Sequence, residues 1–189
     1  MPGVGMKRLN VCSLLGLLSA GAVTDAAAQM PTVERVQSSG LWQVRQITGQ
    51  ISGKPVTTAL IKTAKVQQQS RRRQQVAELA IFCASGKPVV LLLFSGPITT
   101  RQSVSFIYRI DNNAAQTRET DAAPGHRGLV VKNEQNVGEF LRQIGPSSKL
   151  VVRIVSPTVG ISQAEFSTAG AASAIDIALS PCRPGQRKT

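Results

Sequence analysis

The side chains that could do chemistry in this 189-residue chain are few. It has one histidine, His126, set in the loop-like string PGHRG. A nucleophile needs a base held in place by a third group, and nothing in the sequence supplies that arrangement around His126. Metal sites draw on several His, Cys or carboxylate ligands. Asp111-Asn112-Asn113 lacks the alternating acidic pattern of a calcium loop and reads as a turn cap. Glycoside hydrolysis needs two carboxylates on facing elements, but Glu78, Asp111, Glu165 and Asp176 show no pairing in sequence, and no phosphate loop is present. The expectation is a protein that is not an enzyme, with no cofactor and no metal. What remains is a pair of cysteines and an excess of cations.

The cysteines belong with the question of compartment. Lys7 and Arg8 precede the apolar run VCSLLGLLSAGAV, Val11 to Val23, and Ala26-Ala27-Ala28 follows before Gln29. That is the plan of a cleaved export signal over residues 1–28; the run is short of the ~20 residues a spanning helix needs. No later apolar stretch is longer than VVLLLF at 89–94, so no transmembrane span is expected once the signal is removed. Cys12 lies inside the signal, which leaves Cys83 and Cys182. An even pair in an exported chain reads as a disulfide. It would close a loop of roughly 100 residues, for which chain entropy gives about 4.7 kcal/mol as an upper figure. The expected location is the periplasm, with secretion as the alternative.

The formal net charge is +12. Exported basic proteins meet anionic lipid headgroups, glycan phosphates and acidic proteins rather than cytosolic nucleic acid. The densest cationic run is Arg71-Arg72-Arg73 within QQQSRRRQQV, and no aromatic residue is interleaved there. Single-strand binders supply such rings for stacking, and only 4% of the chain is aromatic; no nucleic-acid partner is expected. The run is either a solvated loop tip between strands or an anion contact. Arg109 stands alone on the outward face of QSVSFIYRI, with Asp111 two residues on. It is either half of a surface ion pair or a recognition arginine.

The elements that would position these groups follow from period. Alternation over 41–47, 76–83, 102–110, 149–155 and 161–168, a β-branched and apolar composition over 55–65, a run apolar on both faces over 88–94 and a short run at 128–131 predict strands. Val104, Phe106, Tyr108 and Ile110 share one face of the cleanest of them. In NEQNVGEFLRQI, Val137, Phe140, Leu141 and Ile144 recur at helical spacing, with Asn133 or Asn136 as the cap and Gly145-Pro146 as the stop. A second short helix is expected over 171–179. The prediction is a mainly antiparallel β-sandwich of seven or eight strands, with two short helices near the C-terminus and one disulfide. Residues 29–40 form a flexible lead-in, 41–182 one domain, and 183–189 a basic tail.

ELAIFC at 78–83, FIYRID at 106–111, GEFLRQI at 138–144, KLVVRI at 149–154 and QAEFSTAGAASAIDIALSPC at 163–182 occur in this order. The set resembles the VasI-type periplasmic proteins associated with type VI secretion, over roughly residues 78–182. ITGQISGKP stands where that family has an acidic turn. The invasion-associated locus B proteins, also small exported β-domains with cysteines, match less well in cysteine arrangement. The resemblance implies an exported accessory protein without a catalytic site. Two functions are therefore expected as alternatives. One is an interaction module of the cell envelope with a protein partner. The other is a binder of anionic envelope polymer or lipid headgroups through the basic loop.

Overall fold

Alternating segments can bury their apolar side only by pairing edge to edge and curling around a common interior. The computed structural model describes residues 33–48, 54–68, 75–96, 98, 104–123, 126–131, 133–156 and 160–183. In chain order these form β1 (Val33–Ser39), β2 (Trp42–Thr48), β3 (Pro55–Thr63), β4 (Val66–Gln68), β5 (Ala77–Ala84), β6 (Lys87–Phe94), β7 (Val104–Ile110), β8 (Gln116–Ala122), β9 (Gly128–Val131), α1 (Glu134–Ile144), β10 (Lys149–Ser156), β11 (Gly160–Ser167) and α2 (Ala171–Ala178), ending in a 3₁₀ turn at Ser180–Cys182. All strand pairs are antiparallel, in one sheet of order β1-β2-β3-β5-β6-β9-β8-β7-β10-β11-β4.

The expected seven or eight strands are thus eleven, and two separate sheets are replaced by one. Two short strands join the sheets, and one of them, β4, is also an addition to the expected set. β9 bonds to both β6 and β8, and so joins what would otherwise be two sheets. β4 follows β3 after only Ala64 and Lys65, and it pairs with β11. Glu165 N–H also donates to Lys65 C=O at 3.1 Å. The sheet is thereby closed on itself through the β3–β4 run, while β1 and β2 extend beyond the ring. Both halves of the sheet contribute to one core. Leu79, Ile81, Val90 and Leu92 from one side cluster with Phe106, Tyr108, Val152 and Ile154 from the other.

Two further elements lie where no strand is expected. Residues 33–39, within the predicted flexible lead-in, pair with β2 through a tight hairpin in which Gly40 has φ +60. A two-residue loop favours such a left-handed glycine, and the hairpin imposes strand structure on a polar edge. β8 runs through a polar stretch that shows no apolar alternation. Its Gln116 and Arg118 turn toward α1, so its period of two is written in polar residues.

The helices follow the amphipathic pattern. Asn133 caps α1 by accepting from Gln135 N–H at 2.8 Å, and Val137, Phe140 and Ile144 are buried. Phe140 meets the Tyr108 ring edge-on at 5.1 Å. α2 buries Ala171, Ala174, Ile175 and Ala178. Cys83 on β5 is bonded to Cys182 just beyond α2, with Cα atoms 5.6 Å apart and a sequence separation of 99. The predicted disulfide is therefore present, and it ties the end of the chain to the middle of the sheet. No described helix is long and apolar enough to cross a membrane.

Candidate functional site

A strand whose alternate residues are buried must present the others to the outside. In β10, Leu150, Val152, Ile154 and Ser156 are buried, so Lys149, Val151, Arg153 and Val155 point outward. Register then decides which outward residues of β7 and β11 stand beside them. Val151 lies between Arg109 of β7 and Glu165 of β11, and Arg153 lies between Ile107 and Gln163. The next row is Val155 beside Ile161. Over the first two rows runs a groove of about 330 Å³ whose lining includes Ile107, Arg109, Lys149, Val151, Arg153 and Glu165.

The electrostatics of this face are lopsided. Glu165 is bridged by Lys149 at 2.8 Å and by Lys65 at 3.4 Å. These contacts, the Lys149 hydrogen bond foremost, hold its carboxyl below the usual carboxylate range. Arg153 donates from Nε and Nη2 to the neutral amide oxygen of Gln163, at 3.3 and 3.1 Å. Its guanidinium is oriented by that contact without being neutralised. Arg109 is exposed and makes no hydrogen bond or ion pair with the described residues. One carboxylate, already doubly paired, thus faces four cations: Lys65, Lys149, Arg109 and Arg153. The floor between them is apolar, from Ile107 and Val151. At one end Val155 and Ile161 are 46% and 41% exposed.

Asp111 does not pair with Arg109. Its Oδ1 accepts from Ser148 N–H at 3.1 Å, Ser148 Oγ–H at 2.9 Å and Lys149 N–H at 2.8 Å. The Ser148 hydroxyl bond is the leading reason that the Asp111 carboxyl titrates below its ordinary value. Asp111 adopts φ +49 at the end of β7, a conformation that Asp tolerates in turns. It therefore locks the start of β10 to the end of β7. This fixes the register that sets Arg109 across from Val151.

A second polar cluster lies between the sheet and α1. Tyr108 Oη–H donates to Gln116 Oε1 at 2.9 Å, and Arg118 Nη2 donates to the same atom at 2.7 Å and to Glu139 Oε2 at 2.6 Å. Gln116 also donates to Gln143. Burial, first among its causes, pushes the Tyr108 phenol above its ordinary value. Every member is engaged within the cluster, which fastens α1 to β7 and β8.

Of the residues singled out in the sequence, Arg109 lies on the rim of the groove, and Cys83 and Cys182 form the disulfide. Arg71, Arg72 and Arg73 lie outside the described residues, as do the signal at 1–28 and tail residues 184–189. Lys149, Arg153, Gln163 and Glu165 join Arg109 only through cross-strand register. The outward positions of KLVVRIVS are legible in its alternation, but their neighbours are not. Among the described residues no three His, Cys, Asp or Glu side chains come together in the manner of a metal site.

No protein-family model and no curated protein matches the sequence. Among solved structures, invasion-associated protein B from Bartonella henselae is similar, with a TM-score of 0.49 and 13% identity over 77% of this chain and 96% of that one. A likeness of that degree says nothing about this chain's chemistry.

Proposed function

We propose that this chain is an exported, non-enzymatic interaction module of the bacterial cell envelope that holds an anionic partner against the outer face of β7, β10 and β11. The observation that carries the reading is the charge imbalance of that face. Arg109 and Arg153 are left with no acidic partner among the described residues, beside a carboxylate that Lys65 and Lys149 already occupy. Desolvating a cation without a partner is costly. A face that keeps two of them over an apolar floor is suited to a ligand that brings negative charge. The disulfide is compatible with an oxidising compartment. The type VI secretion machinery, to which the sequence resemblance points, is the first place to look for the partner.

Photo-crosslinking in cells tests this reading. A photoreactive side chain at Val151, on the groove floor, should yield a discrete adduct that disappears with Arg109→Glu. The same group at Thr57, on β3, serves as the control. Adducts at Thr57 with none at Val151 would move the function away from this face.

The polymer-binding alternative has one observation in its favour. β4 ends at Gln68, paired with Ser162 beside Ile161, and Arg71-Arg72-Arg73 follows three residues later in the sequence. Binding through that run should weaken steeply with salt, since exposed charges are screened beyond about 10 Å at 0.1 M. Arg71→Ala, Arg72→Ala and Arg73→Ala combined should abolish it, while the Val151 adduct should survive.

A further inference from the structure

We infer that the partner of this face is an extended acidic segment of a protein, carrying carboxylates at alternate positions followed by a branched apolar residue. The inference rests on the reading that the face binds an anion, and it goes on to name the anion's chemistry. Its first support is spacing. Arg109 stands opposite Val151, and Arg153 is two residues further along β10. Diagonal neighbours of this kind lie roughly 7–8 Å apart. Alternate residues of an extended chain repeat at nearly the same interval, about 6.8 Å, so two carboxylates in the pattern Glu-x-Glu fit the two guanidiniums.

The second support is the apolar component. Continuing along β10 by another two residues reaches Val155, beside Ile161, both partly exposed. A next-but-one Leu, Ile or Val on the same segment would cover them. A phosphate polymer has nothing to place there and would be served as well by a wholly polar surface. The third support is the Gln163 amide, which orients the Arg153 guanidinium. A planar guanidinium held in place suits the two-pronged recognition of a carboxylate.

Three fluorescent probes separate the outcomes in anisotropy titrations of the folded protein: the peptide Ser-Glu-Ser-Glu-Ser-Leu, its Leu→Ser counterpart, and inorganic polyphosphate. The Leu peptide should bind about tenfold more tightly than the Ser peptide. That advantage should vanish in Val155→Ser/Ile161→Ser. Arg109→Gln/Arg153→Gln should weaken the Leu peptide about tenfold or more. If polyphosphate binds at this face with loss in the arginine variant, while the two peptides bind alike or not at all, the acidic-segment inference is overturned and the anion-binding reading stands. If no probe responds to the arginine variant, both fall together. Circular dichroism of each variant confirms that the fold is intact, because the substituted positions all point outward.

Discussion

The sheet is closed off at one end and left bare on one face. At the closed end, the β1–β2 hairpin meets the turn that leads from β11 into α2. Trp42 is fully buried and donates from Nε1 to Thr168 C=O at 3.3 Å, and Leu41 N–H reaches Ala169 C=O at 3.4 Å. Backbone lies against backbone there, and the disulfide binds the chain just beyond α2 to β5. On the outer face of β7, β10 and β11, by contrast, no described helix covers the side chains, and cations outnumber acids. The first region spends its residues on fixing the fold, and the second carries side chains that the fold does not use. Substitutions should therefore separate cleanly: stability is lost at the closed end, and binding is lost on the bare face.

The largest expected effect is at the disulfide. Cys83→Ala/Cys182→Ala should lower unfolding stability by up to about 4.7 kcal/mol, the chain-entropy value for a loop near 100 residues. Chemical denaturation with and without reductant checks it. A loss well below 1 kcal/mol would show that packing of α2 alone holds the closed end.

Gly170→Ala comes next. Gly170 has φ +89, and a Cβ there would sit 2.2 Å from Ser39 C=O oxygen and 2.6 Å from its carbon. The left-handed conformation alone costs a non-glycine residue about 1–2 kcal/mol. The clash with backbone adds to that, since the hairpin must shift to relieve it. Gly40 meets the same limit from the other side, with Ala169 C=O oxygen 2.4 Å from its would-be Cβ. A thermal melt should show Gly170→Ala well below the parent, with the hairpin amides of β1 exchanging faster.

Arg109→Glu is the counterpart on the bare face. Surface substitutions away from caps and buried networks usually stay within about 0.5 kcal/mol, so the melt should be nearly unchanged while peptide binding is lost. A large drop in stability would mean that the guanidinium carries structure, and the contrast between the two regions would fail.

How much of this was legible beforehand depended on what the alternation was written in. Apolar alternation marked β7, β10 and β11, helical spacing marked α1, and an even cysteine count marked the cross-link. β1 and β8 escaped because an edge strand and a strand facing polar side chains of a helix show no hydropathy period. The closure of the sheet escaped because it depends on three residues, Val66–Gln68, whose pairing with β11 is decided at long range. The groove was legible at one residue only. Arg109 stood out, but its companions lie more than 35 positions away in sequence, and only register unites them. Asp111, which sets that register, read as a simple turn cap. It is one, and it also reaches across to β10.

The smallest effect is the one that tests Asp111 and Glu165 directly. Both carboxyls titrate below their ordinary values of 3.8 and 4.5, because hydrogen bonds from Ser148 and from Lys149, respectively, favour the charged form. A depressed folded value contributes stability that is present above the unfolded value and lost as pH falls through the folded one. Stability should therefore be flat from neutral pH to about pH 5, then fall below those ordinary values as the β7–β10 and β10–β11 contacts loosen. Asp111→Asn keeps an acceptor oxygen for Ser148 and Lys149 but has no charge to lose. It should be slightly less stable than the parent at pH 7 and should show a shallower decline in acid. At the closed end Asp176 of α2 pairs with Arg183 at 2.7 Å on the exposed surface, but the contacts that Trp42 and Leu41 make with the turn carry no charge, so hydrogen exchange at β2 should respond to acid less than exchange at β10. Equal acceleration at both would mean that the bare face and the closed end unfold as one unit, and that their difference is one of exposure alone.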